Sequence, residues 1–137
     1  MTTLVWFRND LRSSDHEPLL RAAANGPVAA VYCVDLRQYG RGIGDLPRLA
    51  AHRARFLIES IAALRAELRA LGGELIVRYG PPERVLPELA ATVQASQLCF
   101  HREVGTEEAA AERAVIWAFA GTQLDIRAFW AGTLHHP

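Results

Sequence analysis

Short apolar runs alternate with longer stretches in which apolar residues recur every three or four positions. The runs at Thr3–Phe7, Val28–Val34, Glu74–Arg78, Gln97–His101 and Leu124–Ala128 are of strand length. Their near-continuous apolar character suits strands covered on both faces, as parallel strands are. Between the second and third runs, Leu57, Ile61, Leu64, Leu68 and Leu71 form one stripe on a long helix from about Arg48 to Leu71. Gly72-Gly73 ends that helix, because glycine takes the left-handed cap at little cost. Pro81-Pro82 opens the next helix, with Val85, Leu86, Leu89 and Val93 on its inner face and Pro87 forfeiting one backbone bond. A last helix runs from about Thr106 to Ala120. The pattern predicts a single domain over residues 1–137 of α/β class: a doubly wound, five-stranded parallel sheet, Rossmann-like, in three α/β/α layers.

Composition narrows the options. Half of the residues are apolar, enough for a compact core at this length. Fifteen basic residues balance fifteen acidic ones, and the basic ones are all Arg, spread along the chain. The chain therefore lacks the electrostatic footprint of a nucleic-acid or membrane-surface binder. Cys33 and Cys99 sit inside apolar runs without metal-ligand spacing and read as buried, reduced thiols. No stretch approaches the roughly 20 apolar residues of a membrane span, so a cytoplasmic location with no membrane partner is expected.

In an open sheet of order 3-2-1-4-5, ligands settle beyond the carboxyl ends of strands where the order reverses, between the first and fourth. The segments leaving these strands are Arg8-Asn9-Asp10-Leu11-Arg12 and Arg102-Glu103-Val104-Gly105-Thr106-Glu107-Glu108, both dense in charge. Asp35-Leu36-Arg37-Gln38-Tyr39 leaves the second strand nearby, and its Tyr39 is suited to stacking on a flat ligand. Arg8, Asp10, Tyr39, Glu103, Glu107 and Glu108 are the candidate binding residues. Each has a plainer role open to it. Arg8 and Asp10 can pair with each other or with Arg12, and Glu107 and Glu108 can serve the dipole of a helix capped by Thr106. Trp6 reads as core, and at least one of Trp117 and Phe119 should face the sheet.

Three other features weigh against alternative chemistry. Gly40-Arg41-Gly42-Ile43-Gly44 follows the second strand rather than the first and does not lead directly into a helix, so it is a lid or spacer rather than a phosphate cradle. The irregular stretch 35–47 around it has the length of a functional or mobile loop. His135-His136 has no third ligand in the sequence nearby, and no metal site or catalytic set is expected.

The opening Trp6-Phe7-Arg8-Asn9-Asp10-Leu11-Arg12 resembles the N-terminal signature of the photolyase/cryptochrome family. The likeness continues through Asp35-Leu36-Arg37-Gln38-Tyr39, Arg55-Phe56-Leu57-Ile58-Glu59-Ser60, Gly80-Pro81-Pro82-Glu83-Arg84-Val85-Leu86-Pro87 and His101 to Glu108, and is nearest the DASH branch. One departure is visible: the pair Asp15-His16 stands where the family commonly has Asp-Asn.

The resemblance implies an antenna domain holding methenyltetrahydrofolate, with a carboxylate, Glu107 or Glu108, accepting hydrogen bonds from the pterin. It further implies that FAD, the electron-carrying tryptophans and most contacts to damaged DNA belong to a flavin domain that this chain lacks, on the same or another polypeptide. The full-length relative would be a carbon–carbon lyase that splits cyclobutane pyrimidine dimers with light, or a blue-light sensor. By itself this chain is expected to be inactive and to bind folate weakly or not at all. A stand-alone nucleotide-binding protein and a protein-interaction module are the alternatives.

Overall fold

The computed structural model describes residues 2–35 and 47–130, with side chains from residue 51 onward in the second stretch. Tyr39, the glycine cluster and His135-His136 lie outside the described residues. Among the described residues nine elements follow one another as β1 (Thr2–Phe7), α1 (Glu17–Asn25), β2 (Val28–Val34), α2 (Pro47–Ala70), β3 (Leu75–Tyr79), α3 (Pro82–Val93), β4 (Ala95–Arg102), α4 (Thr106–Ala118) and β5 (Asp125–Trp130). The five strands form one parallel sheet in the expected order, β3-β2-β1-β4-β5. Trp6 of the central strand is level with Val31 on one side and Phe100 on the other. The register brings the carboxyl ends of β1, β2 and β4 to one rim.

Alternation along each strand divides the core into two layers. Leu4 and Trp6 of β1 join Val31, Leu98 and Phe100 against Leu86 and Leu89 of α3 and Val115 of α4. Val5 and Phe7 point the other way and meet Ala22 of α1 with Leu64 and Leu68 of α2. Burying a side chain of this size contributes about 1.5–3 kcal/mol, so both faces of β1 supply a large share of the stabilisation. Cys33 and Cys99 are both buried, and Phe119 faces the core while Trp117 faces outward, 81% exposed.

Some expectations shift. Leu71, placed on the α2 stripe, is 74% exposed, because the helix ends at Ala70 and the chain has begun to turn away. Gly73 N–H reaches back to Leu68 O at 2.7 Å and Gly72 adopts φ +89°, the left-handed stop that glycine permits. Helix α4 stops at Ala118, two positions short of the expected end, and β5 begins and ends later than the apolar run suggests. Thr106 is the first helical residue rather than the cap, a position taken by Gly105 without a side-chain bond. Sequence periodicity gives no bounds for α1, whose nine residues are too few to establish a repeat. Among the described residues no helix is long and apolar enough to cross a membrane.

Candidate functional site at the strand reversal

A shallow cleft lies beyond the carboxyl ends of β1, β2 and β4. Trp6 to Asn9 form its floor, Tyr32, Cys33 and Asp35 one side, and Glu103, Glu108 and Ala111 the other. This is the strand-reversal position where open α/β sheets hold ligands.

Arg8 organises the cleft from beneath. It is only 8% exposed, and its guanidinium lies 4.7 Å from the centre of the Trp6 ring. Nη1 donates to Glu112 Oε2 at 2.7 Å and to His101 O at 3.2 Å, and Nη2 donates to Glu108 O at 2.8 Å. The ends of β1 and β4 are thereby tied to the first turns of α4. The plainer alternative, Arg8 and Asp10 pairing with each other or with Arg12, forms only through the backbone: the Arg8 N–H donates to Asp10 Oδ1 and the Arg12 N–H to Asp10 O, while no side-chain ion pair joins the three. Arg12 instead donates to the Asp15 carbonyl, and the Arg8 side chain is occupied by Glu103 and Glu112.

Glu112 is the residue that sequence reasoning missed. It is 4% exposed and accepts from Arg8, from Arg102 Nε at 3.3 Å and from the Glu103 backbone N–H at 2.9 Å. A signal was present: Glu108, Glu112, Val115 and Phe119 follow helical spacing, which put an acid on an inward stripe.

Glu103 is less well satisfied. Its Oε1 lies 3.1 Å from Arg8 Nε, close enough for charge pairing but off the direction of the N–H, so this buried oxygen has no hydrogen bond. Oε2 accepts from Asn9 Nδ2 at 2.8 Å. Burial raises the Glu103 carboxyl above the usual range, outweighing the Arg8 charge and the Asn9 bond, and Asp10 and Glu108 add to the rise.

Asp10 belongs to a second cluster just behind the cleft. Its Oδ2 is 2.5 Å from His16 Nε2 and 2.5 Å from His101 Nδ1, and its Oδ1 accepts the Arg8 backbone N–H at 2.8 Å. Burial alone would raise this carboxyl, but the bonds from His101, His16 and the Arg8 backbone together hold it well below the usual carboxylate range. His16 stacks on Phe7 and meets His101 edge-on.

The three side chains offer ligand atoms within 4.8 Å of one another, the grouping of a metal site. The hydrogen bonds argue otherwise. His16 Nδ1 accepts the Leu19 N–H at 3.1 Å as the cap of α1, so its proton sits on Nε2, the atom a metal would need. Asp10, His16 and His101 therefore form a hydrogen-bonded pin between β1, α1 and β4.

Of the six candidate residues, the structure brings Arg8, Glu103 and Glu108 to the cleft, and Asp10 to the pin behind it. Glu107 is exposed in the first turn of α4 and does not line the cleft. Asn9, Tyr32 and Asp35 join the lining from positions that sequence reading did not single out as contacts.

Comparison with known proteins agrees with this architecture. The family model described as DNA photolyase matches residues 3–137. A cryptochrome DASH of Gloeobacter violaceus is 46% identical over 99% of this chain, which spans 27% of that relative's length. The crystal structure of Synechocystis sp. PCC6803 cryptochrome superposes with a TM-score of 0.87 at 37% identity, covering 99% of this chain and 28% of that one. A bacterial class III photolyase from Agrobacterium tumefaciens gives a TM-score of 0.79 at 29% identity, over 99% of this chain and 27% of its own. With a family match along nearly its whole length and the same sheet in cryptochrome and photolyase alike, this chain belongs to the DNA photolyase family.

Proposed function

We propose that this domain is a light-gathering antenna that holds a folate, methenyltetrahydrofolate, in the strand-reversal cleft and passes excitation to a flavin bound by a separate domain. The observation that carries this reading is the pair Glu103 and Glu108 in one cleft, with Glu103 Oε1 buried and ion-paired to Arg8 Nε at 3.1 Å but without a hydrogen bond. A buried acceptor left without a hydrogen bond is costly, and a ligand presenting adjacent N–H groups to this carboxylate relieves it. A pterin edge has such donors. Glu108, as a carboxylate, can accept two parallel bonds from it, each stronger than a bond between neutral groups.

The same lining disfavours the nucleotide-binding alternative. Asp35, Glu103 and Glu108 all border the cleft, while its Arg8 is already engaged by Glu103 and Glu112. A phosphate there would meet like charge from these carboxylates. Full-length relatives are more than three times as long as the matched region, and the open mouth of the cleft leaves one side of a bound ligand to be covered. A flavin domain is the proposed cover. Light-driven splitting of pyrimidine dimers, or blue-light sensing, would then belong to the assembled protein.

The test is titration of methenyltetrahydrofolate against the chain alone and together with a separately produced flavin domain. Weak binding alone and tight binding by the pair are expected. Glu108→Gln should weaken the pair's binding, while Glu107→Gln should not. Equal effects of the two substitutions, or none, would overturn the site, and robust dimer repair by this chain alone would overturn the division of labour.

A further inference from the structure

We propose that Gly105 is a positioning residue: its missing side chain keeps open the space into which the Glu108 carboxylate folds at the mouth of the cleft. The inference rests on the reading of Glu108 as a ligand contact and deepens it.

Gly105 caps α4 and Glu108 is the third helical residue after it. A Cβ placed on Gly105 would fall within the van der Waals envelope of Glu108 Oε1 and 2.6 Å from its Cδ. The carboxylate thus lies back over the start of its own helix. Among the described residues no donor holds it there, since Glu108 bonds Arg8 only through its backbone carbonyl. Two things keep it in place: attraction to the positive end of the helix, and the vacancy beside Gly105.

The backbone does not require glycine at this position. Gly105 has φ −66° and ψ 155°, a region open to any residue, and its carbonyl accepts the Ala109 N–H at 2.8 Å whatever the side chain. The conformational freedom of glycine therefore does not explain it, whereas the space does. An added methyl would meet the far end of a flexible side chain, so the fold would yield by swinging Glu108 away rather than by unfolding. Gly105→Ala accordingly moves a carboxylate without removing it.

Two measurements test this on Gly105→Ala, Glu108→Gln and the double variant. In the first, the backbone amides of residues 106–108 are followed by NMR across the acidic range, with Glu108→Gln as the blank. The shifts due to Glu108 should be present in the unsubstituted protein and largely lost in Gly105→Ala, whose melting temperature should stay within a few degrees. Undiminished shifts would overturn the proposal.

In the second, methenyltetrahydrofolate affinity is measured with the flavin domain present. Each single substitution should weaken it roughly tenfold or more, the size of one charge-assisted hydrogen bond, and the double variant should be no weaker than Glu108→Gln. Loss in Glu108→Gln but not in Gly105→Ala would sink the positioning role and leave the pterin contact standing. Unchanged affinity in Glu108→Gln, or no binding at all, would sink the pterin contact, and the amide shifts alone would then decide the role of Gly105.

Discussion

Arg8 Nη1 and Glu112 Oε2 meet at 2.7 Å although 104 residues separate them in the chain. Both side chains are 6% exposed, so the pair joins the end of the central strand to the middle of α4 out of reach of solvent. A buried charge pair of this kind is weak evidence for net stability, since desolvation offsets much of the attraction. Its value here is geometric: the same guanidinium holds the Glu108 carbonyl at 2.8 Å and so fixes the first turn of α4 against the cleft.

Removing one partner should expose that balance. Glu112→Ala leaves Arg8 buried beside Glu103, whose facing oxygen makes no hydrogen bond, and should cost about 3 kcal/mol in urea unfolding. Replacing both partners with apolar residues of similar volume, Arg8→Met with Glu112→Leu, should cost clearly less than Glu112→Ala alone. A double variant as unstable as the sum of its parts would mean that the two residues act independently.

The carboxyls of Asp10 and Glu103 should give opposite pH dependences. Asp10 is held below its unfolded value of about 3.9, so the stability it contributes is present above that value and lost as pH falls towards its folded one. Glu103 is raised, so its contribution is full below about 4.3 and is lost as pH rises through its folded value. Unfolding measured between pH 2 and 7 should show a low-pH loss that disappears in Asp10→Asn. Glu103→Gln should instead flatten the region above pH 4.3. Identical profiles for all three proteins would refute both assignments.

The layers were legible in the sequence because apolar runs and helical stripes report burial; the strand order, and the cleft position that depends on it, followed from the usual order of doubly wound sheets rather than from these residues. The cleft contacts were legible only in part. Arg8, Glu103 and Glu108 stood out because they are charges directly after strands. Glu112 fell on the inward stripe of α4, but its spacing alone does not say what would pair with a buried acid, since that depends on Arg8 arriving from a strand 104 residues earlier. His16 and His101 were equally silent, since Asp10 unites them only after β1, α1 and β4 have packed. Leu71 erred in the other direction: periodicity continued past the point at which the helix stops.

Thiol chemistry offers an independent check on the core. Burial pushes the Cys33 thiol up to about 12, with Asp35 and Glu83 adding to the rise, and burial pushes Cys99 up to about 11. Little thiolate should be present at pH 8, and both residues are buried. An aromatic disulfide reagent should label no thiol in the folded protein within minutes and two after denaturation. Rapid labelling under native conditions would mean that the sheet opens more readily than its packing implies.

His16 joins two roles that substitution can separate. Its Nδ1 caps α1 through the Leu19 N–H and its Nε2 bonds Asp10. His16→Ala loses both, a cap worth about 1 kcal/mol and a bond to a charged group worth about 1.5–3. Asn, the residue common in the family at this point, is a strong cap, so His16→Asn should recover the cap and relinquish the stacking on Phe7. Its stability should fall between those of the unsubstituted protein and His16→Ala. The shared proton assignment makes a second demand: because capping by Nδ1 leaves the proton on Nε2, zinc should not raise the melting temperature, and a chelator should not lower it. A zinc-dependent rise that vanishes in His16→Asn would show that the metal competes successfully for Nε2, and the pin would then have to be redrawn as a metal site.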